Sequence, residues 1–384
     1  MPNPVLTSPP GSFPHSVLHD RHPKLIAKVR DGLPYSPDRL RALDELAEEI
    51  TGAVRPLPPD AHDHDVWAQW GRDYLGESWY DVPFLWAESF FYRKLLEAVG
   101  YFRPGPWRGV DPFEPAKSAE LRGRELADEL DTLGARPDPD ALLTASLWGN
   151  QADLGFQLQV RGGRASALVV DDSAAMWPLL TGLVCVVADN SGRELVPDLL
   201  LADHLLTTGR AEEILLHVKA YPYFTSDATM ADVLAALRRL RGGPTEAAGE
   251  RLWQAVRSGA VAVRAHPFSV APWTYHEMPA DLAEDFATAT VTVMKGDLNY
   301  RRLVGDQAWP ADTAFETVTE YFPGPVVAVR TLKSDVVVGV PADVLTRLES
   351  SGEPWRTNGS HALIQVSGGP AGPAGPTSSN PSPG

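Results

Sequence analysis

Four times after Gly182, a short run of aliphatic and β-branched residues ends in a polar loop that opens a helical pattern. The runs are "GLVCVVAD", "EILLHVKA", "TATVTVMKGD" and "PVVAVRTLKSD". The last three lead into "MADVLAALRRL", "NYRRLVGD" and "PADVLTRLES". Parallel strands cannot be joined by a hairpin and need a crossover, usually a helix, so this repetition predicts a mostly parallel sheet. The runs are continuous rather than alternating, as strands buried on both faces must be. The fold class predicted is an open three-layer α/β/α core carrying a helical N-terminal subdomain.

The first part of the chain has a different texture. "PDRLRALDELAEEITGAV" sets Leu40, Leu43, Leu46 and Ile50 on one helical face. "FLWAESFFYRKLLEAVG" repeats apolar residues at helical spacing and stops at Gly100, and "SAELRGRELADELDTLG" predicts a third helix ending at Gly134. The boundaries drawn are an unordered Pro/Ser-rich start over 1–14, a helical subdomain over 15–145, the α/β core over 146–367 and a disordered Gly/Pro/Ser tail over 368–384.

Composition excludes several classes of partner. A formal net charge of −16 repels nucleic acid and anionic lipid. The single cysteine, Cys185, rules out an internal disulfide framework and lies in an apolar run, where an inert packed thiol is expected. No apolar stretch reaches the roughly 18 residues of a membrane span, and no signal pattern opens the chain, so the cytosol is the expected location.

In open α/β sheets, ligands bind beyond the carboxyl ends of the strands. Four such ends carry polar clusters: Asp189-Asn190 with Glu194 one turn on; Asp227 in "YPYFTSDAT"; Lys295, Asp297, Asn299, Arg301 and Arg302 in "KGDLNYRRL"; and Arg330 with Lys333 in "RTLK". Carboxylate and amide oxygens suit a hard divalent cation, and Lys and Arg suit phosphate oxygens. Together they are the equipment for phosphoryl transfer to water. Taken singly, each cluster has a plainer reading as turn, helix cap or surface charge. Four ends converging on one sheet edge favour a site.

Other candidates read as structure. "DAHDHDVW" groups His62, Asp63, His64 and Asp65, but adjacent helical residues do not face one another, so a solvated helix start is expected. His217, inside an apolar run, reads as a satisfied core histidine, and His266 as a residue of loop packing or of a pocket wall. No G-x-S-x-G, Walker lysine loop or G-x-G-x-x-G occurs.

With these residues in view, the chain resembles the metal-dependent damage-control phosphatases, long known as domain of unknown function 89. "LWGNQADL", "VADNSGREL", "YPYFTSDAT", "HPF", "KGDLNYRRLVGD" and "RTLK" occur in that family's order. The RTxK signature points to its third subfamily, the sugar-phosphate phosphatase group that includes an acidic-residue methyltransferase. The resemblance implies metal ligation by Asp189, Asn190 and Asp227, for manganese, nickel, cobalt or magnesium. It implies substrate contacts from those three and from Lys295, Gly296, Asp297, Leu298, Asn299 and Lys333. It further implies that Glu194 and Asp227 meet S-adenosylmethionine in the methyl-transfer assignment. The activity expected is hydrolysis of small phosphorylated metabolites such as fructose 1-phosphate or fructose 6-phosphate. Lys295 and Lys333 would be counter-cations, the Gly296 backbone an anion nest, and Asp297 the group ordering water or sugar hydroxyls. The alternative is S-adenosylmethionine-dependent O-methylation of protein glutamates, and a third reading is a non-catalytic binding module.

Overall fold

The computed structural model describes residues 2–134, 137–149 and 167–368. Seven strands form one sheet: β1 (Leu168–Asp171), β2 (Gly182–Val187), β3 (Ala211–His217), β4 (Val261–Arg264), β5 (Val291–Lys295), β6 (Val326–Thr331) and β7 (Ala362–Ser367). Their order is β1-β7-β6-β5-β2-β3-β4. The five strands from β6 to β4 run parallel, whereas β7 is antiparallel to β6 and carries β1 parallel to itself. The α/β expectation therefore holds, with a reversed pair at one edge.

Burial on both faces explains the continuous runs. Successive residues of β2 divide between two cores, Val184 packing on one side and Cys185 on the other. Val293 and Met294 of β5 do the same, as do Val327 and Ala328 of β6. From β2 the chain proceeds outward to β3 and β4, then returns past β2 to form β5 and β6. The gap between the ends of β2 and β5 is thus the point where the winding direction reverses, the usual crevice for a ligand.

The helical N-terminal part has its own core around the helix Phe84–Val99. All sixteen residues of that helix are buried, so it is central rather than amphipathic, and its charged members need partners. Arg93 pairs with Asp63 and Glu97, Lys94 with Glu49, and Glu88 with Arg301 of the core. Among the described residues, no helix is long and apolar enough to cross a membrane.

Two expectations need correction. The segment over 1–14 is fixed rather than unordered where it is described. Val5 N–H donates to Asp306, Phe84 N–H donates to Val5, and the fully buried Thr7 hydroxyl donates to the Trp79 and Val82 carbonyls. Pro and Ser content argues against regular structure but is silent about anchoring by long-range hydrogen bonds. The third helix is two, Glu114–Arg122 and Arg124–Leu133. Gly123 is extended (φ −62°, ψ 156°), and a Cβ there would meet Glu125 Oε2 at 2.9 Å. The tail beyond Gly368 lies outside the described residues, as do 150–154 of "LWGNQADL".

Candidate active site

The loop after β2 and the loop after β3 are joined by backbone. Ala188 N–H donates to His217, Ser191 N–H to Ser226, Ala228 N–H to Asp189 and Lys219 N–H to Ala228, and Asn190 forms an isolated bridge with Asp227. This lattice sets Asp189, Asn190 and Asp227 side by side. The helix Leu195–Thr207 starts at Glu194, one turn away. Asn299, on the helix Gly296–Val304 that follows β5, donates through Nδ2 to the Ala188 carbonyl at 3.1 Å and the Lys295 carbonyl at 2.8 Å. It thereby clamps the β2 and β5 ends together.

Gly296 is the closest point of that junction. Its φ is +80°, a region L side chains avoid, and a Cβ would lie 2.0 Å from Cγ and Oδ2 of Asp189. Backbone alone fits against the carboxylate.

The two carboxylates are almost sealed, Asp189 7% and Asp227 3% exposed. Burial drives Asp189 well above the ordinary carboxylate range; Glu194 and Asp227 push the same way, and Lys333 and Lys219 oppose. Burial likewise pushes Asp227 up to about 6, against the pull of Lys219. Lys219 Nζ pairs with Asp227 Oδ2 at 3.3 Å without a well-formed hydrogen bond, which leaves acceptor capacity on this buried oxygen unfilled. An excess of buried oxygen charge with unfilled acceptor capacity fits a hard divalent cation. Asn190 is turned the other way: its Nδ2 donates to Asp189 Oδ2 (2.7 Å) and Glu194 Oε2 (2.9 Å), while Oδ1 accepts from Ser226. Offering its oxygen to a cation requires a half-turn of the amide. Among the described residues, no group of three or more His, Cys, Asp or Glu side chains is placed to hold a metal ion.

Asp189, Asn190, Asp227, Asp297, Leu298 and Lys333 line one cleft of about 570 Å³, walled on another side by the first helices of the chain. Residues 17–348 match the damage-control phosphatase ARMT1-like domain. The chain belongs to that family. Damage-control phosphatase ARMT1 of Danio rerio is 29% identical over 429 residues, covering 93% of this chain and 95% of the relative. The Rattus norvegicus protein is 29% identical, covering 93% and 97%, and the Homo sapiens protein 27% with the same coverage. A solved DUF89 family protein from Pyrococcus horikoshii superposes with a TM-score of 0.53 at 15% identity, covering 91% of this chain and 96% of that one, a likeness of fold.

Within this ARMT1-like frame, the basic residues divide differently from the sequence expectation. Lys295 is not a free counter-cation. Its ammonium donates to the Ser146 carbonyl at 2.7 Å and lies 3.0 Å from Asp198, on two helices packed against each other and the sheet. Strand alternation carries its side chain into that layer, where the buried ammonium takes a buried carboxylate as partner. Asn299, wholly buried, is a clamp rather than a wall of the cleft. Arg330 binds Asp297 (Nε to Oδ1, 2.9 Å) and the Val336 and Ser334 carbonyls. Arg301 binds Glu88 and Asp306, and Arg302 binds three carbonyls. Lys333 remains at the cleft, its side chain 36% exposed and 3.9 Å from Glu194.

Asp297 is a fixed anion. Burial works to raise its pKa, but the Arg330 and Arg301 charges prevail and hold it below the usual range. Its Oδ1 also accepts from Lys333 N–H (3.0 Å) and Ser334 (3.2 Å), so the "RTLK" strand end is bolted to the β5 helix.

Lys219 and Lys117 were not among the expected residues. Lys219 lies two residues past β3, so its strand-end position was a signal; Lys117 sits mid-helix, and nothing local marks it. It donates to the Asp227 carbonyl at 3.0 Å and to Asp111 and Asp232, fixing the Asp227 loop from behind. His217 is a buried core histidine whose Nε2 faces Asp285 Oδ2 at 3.5 Å without a hydrogen bond, and burial lowers its pKa to about 4. His266 caps a short turn by accepting from Phe268 N–H. Asp63 serves Arg93 and Trp67, in keeping with a structural helix start.

Proposed function

We propose that this protein is a divalent-metal-dependent phosphatase of small phosphorylated metabolites, acting on sugar phosphates of the fructose 1-phosphate and fructose 6-phosphate type. What carries the reading is the pair Asp189 and Asp227, buried side by side where the sheet reverses direction, one with acceptor capacity unfilled, in the same cleft as Lys333. Asp189, Asp227 and a rotated Asn190 would hold manganese, nickel, cobalt or magnesium. Such an ion, when bound, supplies Lewis-acid polarisation of the phosphoryl group.

The chain does the rest. The Lys333 ammonium takes a non-bridging phosphate oxygen. The first turn of the helix Gly296–Val304 offers N–H groups that have no partner within the helix, completing an anion nest. Asp297, kept ionised by Arg330, orders the attacking water or the sugar hydroxyls, and Leu298 supplies an apolar wall. Water forms the new P–O bond, the ester P–O bond breaks, and a proton passes to the departing alcohol oxygen. A buried, inert Cys185 suits a reducing compartment, and the reading includes a cytosolic location. Methyl transfer is not favoured, since the relatives carry the phosphatase name and Glu194 is spent on Asn190.

The test is phosphate release from purified protein stripped with chelator and then given each of the four ions. Turnover restored by manganese or nickel is expected; equal turnover in chelator would overturn metal dependence. Lys333→Ala should raise KM roughly tenfold, the scale of one charge-assisted contact, with Lys333→Arg recovering most of it.

Metal should also stabilise the protein in a pH-dependent way. Asp189 and Asp227 have raised pKa values, so the metal-free folded state carries a cost for keeping them ionised at neutral pH. That cost is relieved as pH falls through about 6, because protons then bind the folded carboxylates. A cation competes for the same oxygens. At pH 7.5 a hundredfold excess of manganese over its Kd should add about 2.7 kcal/mol, several degrees in Tm. At pH 5.5 the increment should shrink markedly; melting curves with and without chelator at the two pH values decide it.

A further inference from the structure

The first helical segment carries a basic face on the cleft. Arg21, Lys24 and Lys28 recur at helical spacing through the π-helical turn Val17–Arg21 and the helix His22–Gly32. All three are exposed, and all three line the cleft that holds Asp189 and Asp227. Glu88, on the cleft, pairs with Arg301, and the exposed Asp20 pairs with His19 while also feeling Lys24. In a chain of net charge −16, three such cations along one wall run against the overall field.

They also act on a different part of the cleft from Lys333. Lys333 and Lys219 are the cations that act most on Asp189, beside Glu194 and Asp227, whereas Arg21 is among the charges acting on Glu88 and Tyr92. The wall is not loosely draped. Thr7 and Val5 tie the preceding segment to the Trp79–Phe84 stretch and to Asp306, and Asp306 holds Arg301 on the helix that carries Asp297.

A hexose monophosphate seated with its ester at Asp189, Asp227 and Lys333 would turn neutral hydroxyls toward three cations. Resting on the phosphatase reading and narrowing its sugar-phosphate class, we infer that the preferred substrate bears a second anionic group, a phosphate or a carboxylate, remote from the ester that is cleaved, that Arg21, Lys24 and Lys28 select for it, and that simple hexose monophosphates are the poorer esters. Hydrolysis leaves this group on the product: water and the ester give inorganic phosphate and an alcohol that retains the second anion. Lysine suits the role, being a mobile point charge that follows oxyanions of differing geometry.

The experiment compares kcat/KM of the manganese-loaded full chain on a hexose 1,6-bisphosphate, the matching hexose 1-phosphate and a phosphorylated sugar acid. Expected is a preference of at least tenfold for one doubly anionic substrate over the monophosphate, weakening with added salt. A bisphosphate preference identifies the second group as phosphate; a sugar-acid preference identifies it as carboxylate. The Arg21→Gln/Lys24→Gln/Lys28→Gln variant should lower that preference ratio at least tenfold, and Lys24→Arg should keep it. An absent preference, or a ratio unchanged in the triple variant whether or not both rates fall, overturns the inference while leaving phosphatase activity standing. Absence of metal-dependent turnover on all three esters overturns the phosphatase reading and this inference with it.

Discussion

Asp227→Asn should lower manganese-supported kcat/KM by about a thousandfold or more. The substitution keeps the shape of the side chain but removes one of two buried charges, and charge stabilisation by a bound dication is worth several kcal/mol, at about 1.4 kcal/mol per tenfold in rate. The same change should not unfold the protein. In the metal-free state Asp227 is held ionised against burial and beside Asp189 and Glu194, so an amide relieves that repulsion while depriving Lys219 of a partner. Its Tm in chelator should therefore stay within a few degrees of the parent, and manganese should no longer raise it. Retention of manganese-dependent phosphate release by this variant would be fatal to the assignment of Asp227.

Gly296→Ala tests the junction itself. One added carbon would need the space of the Asp189 carboxylate, 2.0 Å away, at a φ of +80° that alanine disfavours. Strain of this kind costs about 1–3 kcal/mol before any steric relief, and relief means moving Asp189. A shift near 1 Å in a reacting group loses on the order of a hundredfold in rate. The expected result is a hundredfold or greater loss of kcat/KM with a Tm lowered by several degrees. A variant with parent-like kinetics would show that Asp189 need not sit against that backbone. Comparing the two variants separates charge from position: Asp227→Asn spares stability and Gly296→Ala spares charge.

Much of the sheet is legible in the sequence because strands buried on both faces leave a distinctive mark: unbroken aliphatic runs such as "GLVCVVAD", each followed by a polar loop. Asp189, Asn190 and Asp227 are legible for the same reason, since a strand end is where both the run and the hydrogen-bond ladder stop. The division of labour among the basic residues is not. Whether Lys295 faces the cleft or the helix layer depends on strand phase and on Asp198, nearly a hundred positions away, and no local pattern encodes that pairing. Arg330 reads as a phosphate ligand by residue type yet is consumed by Asp297 and the carbonyls of its own loop. The N-terminal segment misleads for a related reason. Composition reports what a stretch does alone, whereas Thr7 is held by partners more than seventy positions distant. Helix breaks are local, and the glycine in "ELRGREL" marks one that apolar spacing alone overrides.

The pairing of Pro4 with Gln307 joins positions some three hundred apart. During synthesis Pro4 therefore finds its partner only once Gln307 has been made. Contacts of such span are slow to form, so this closure belongs among the late events of folding.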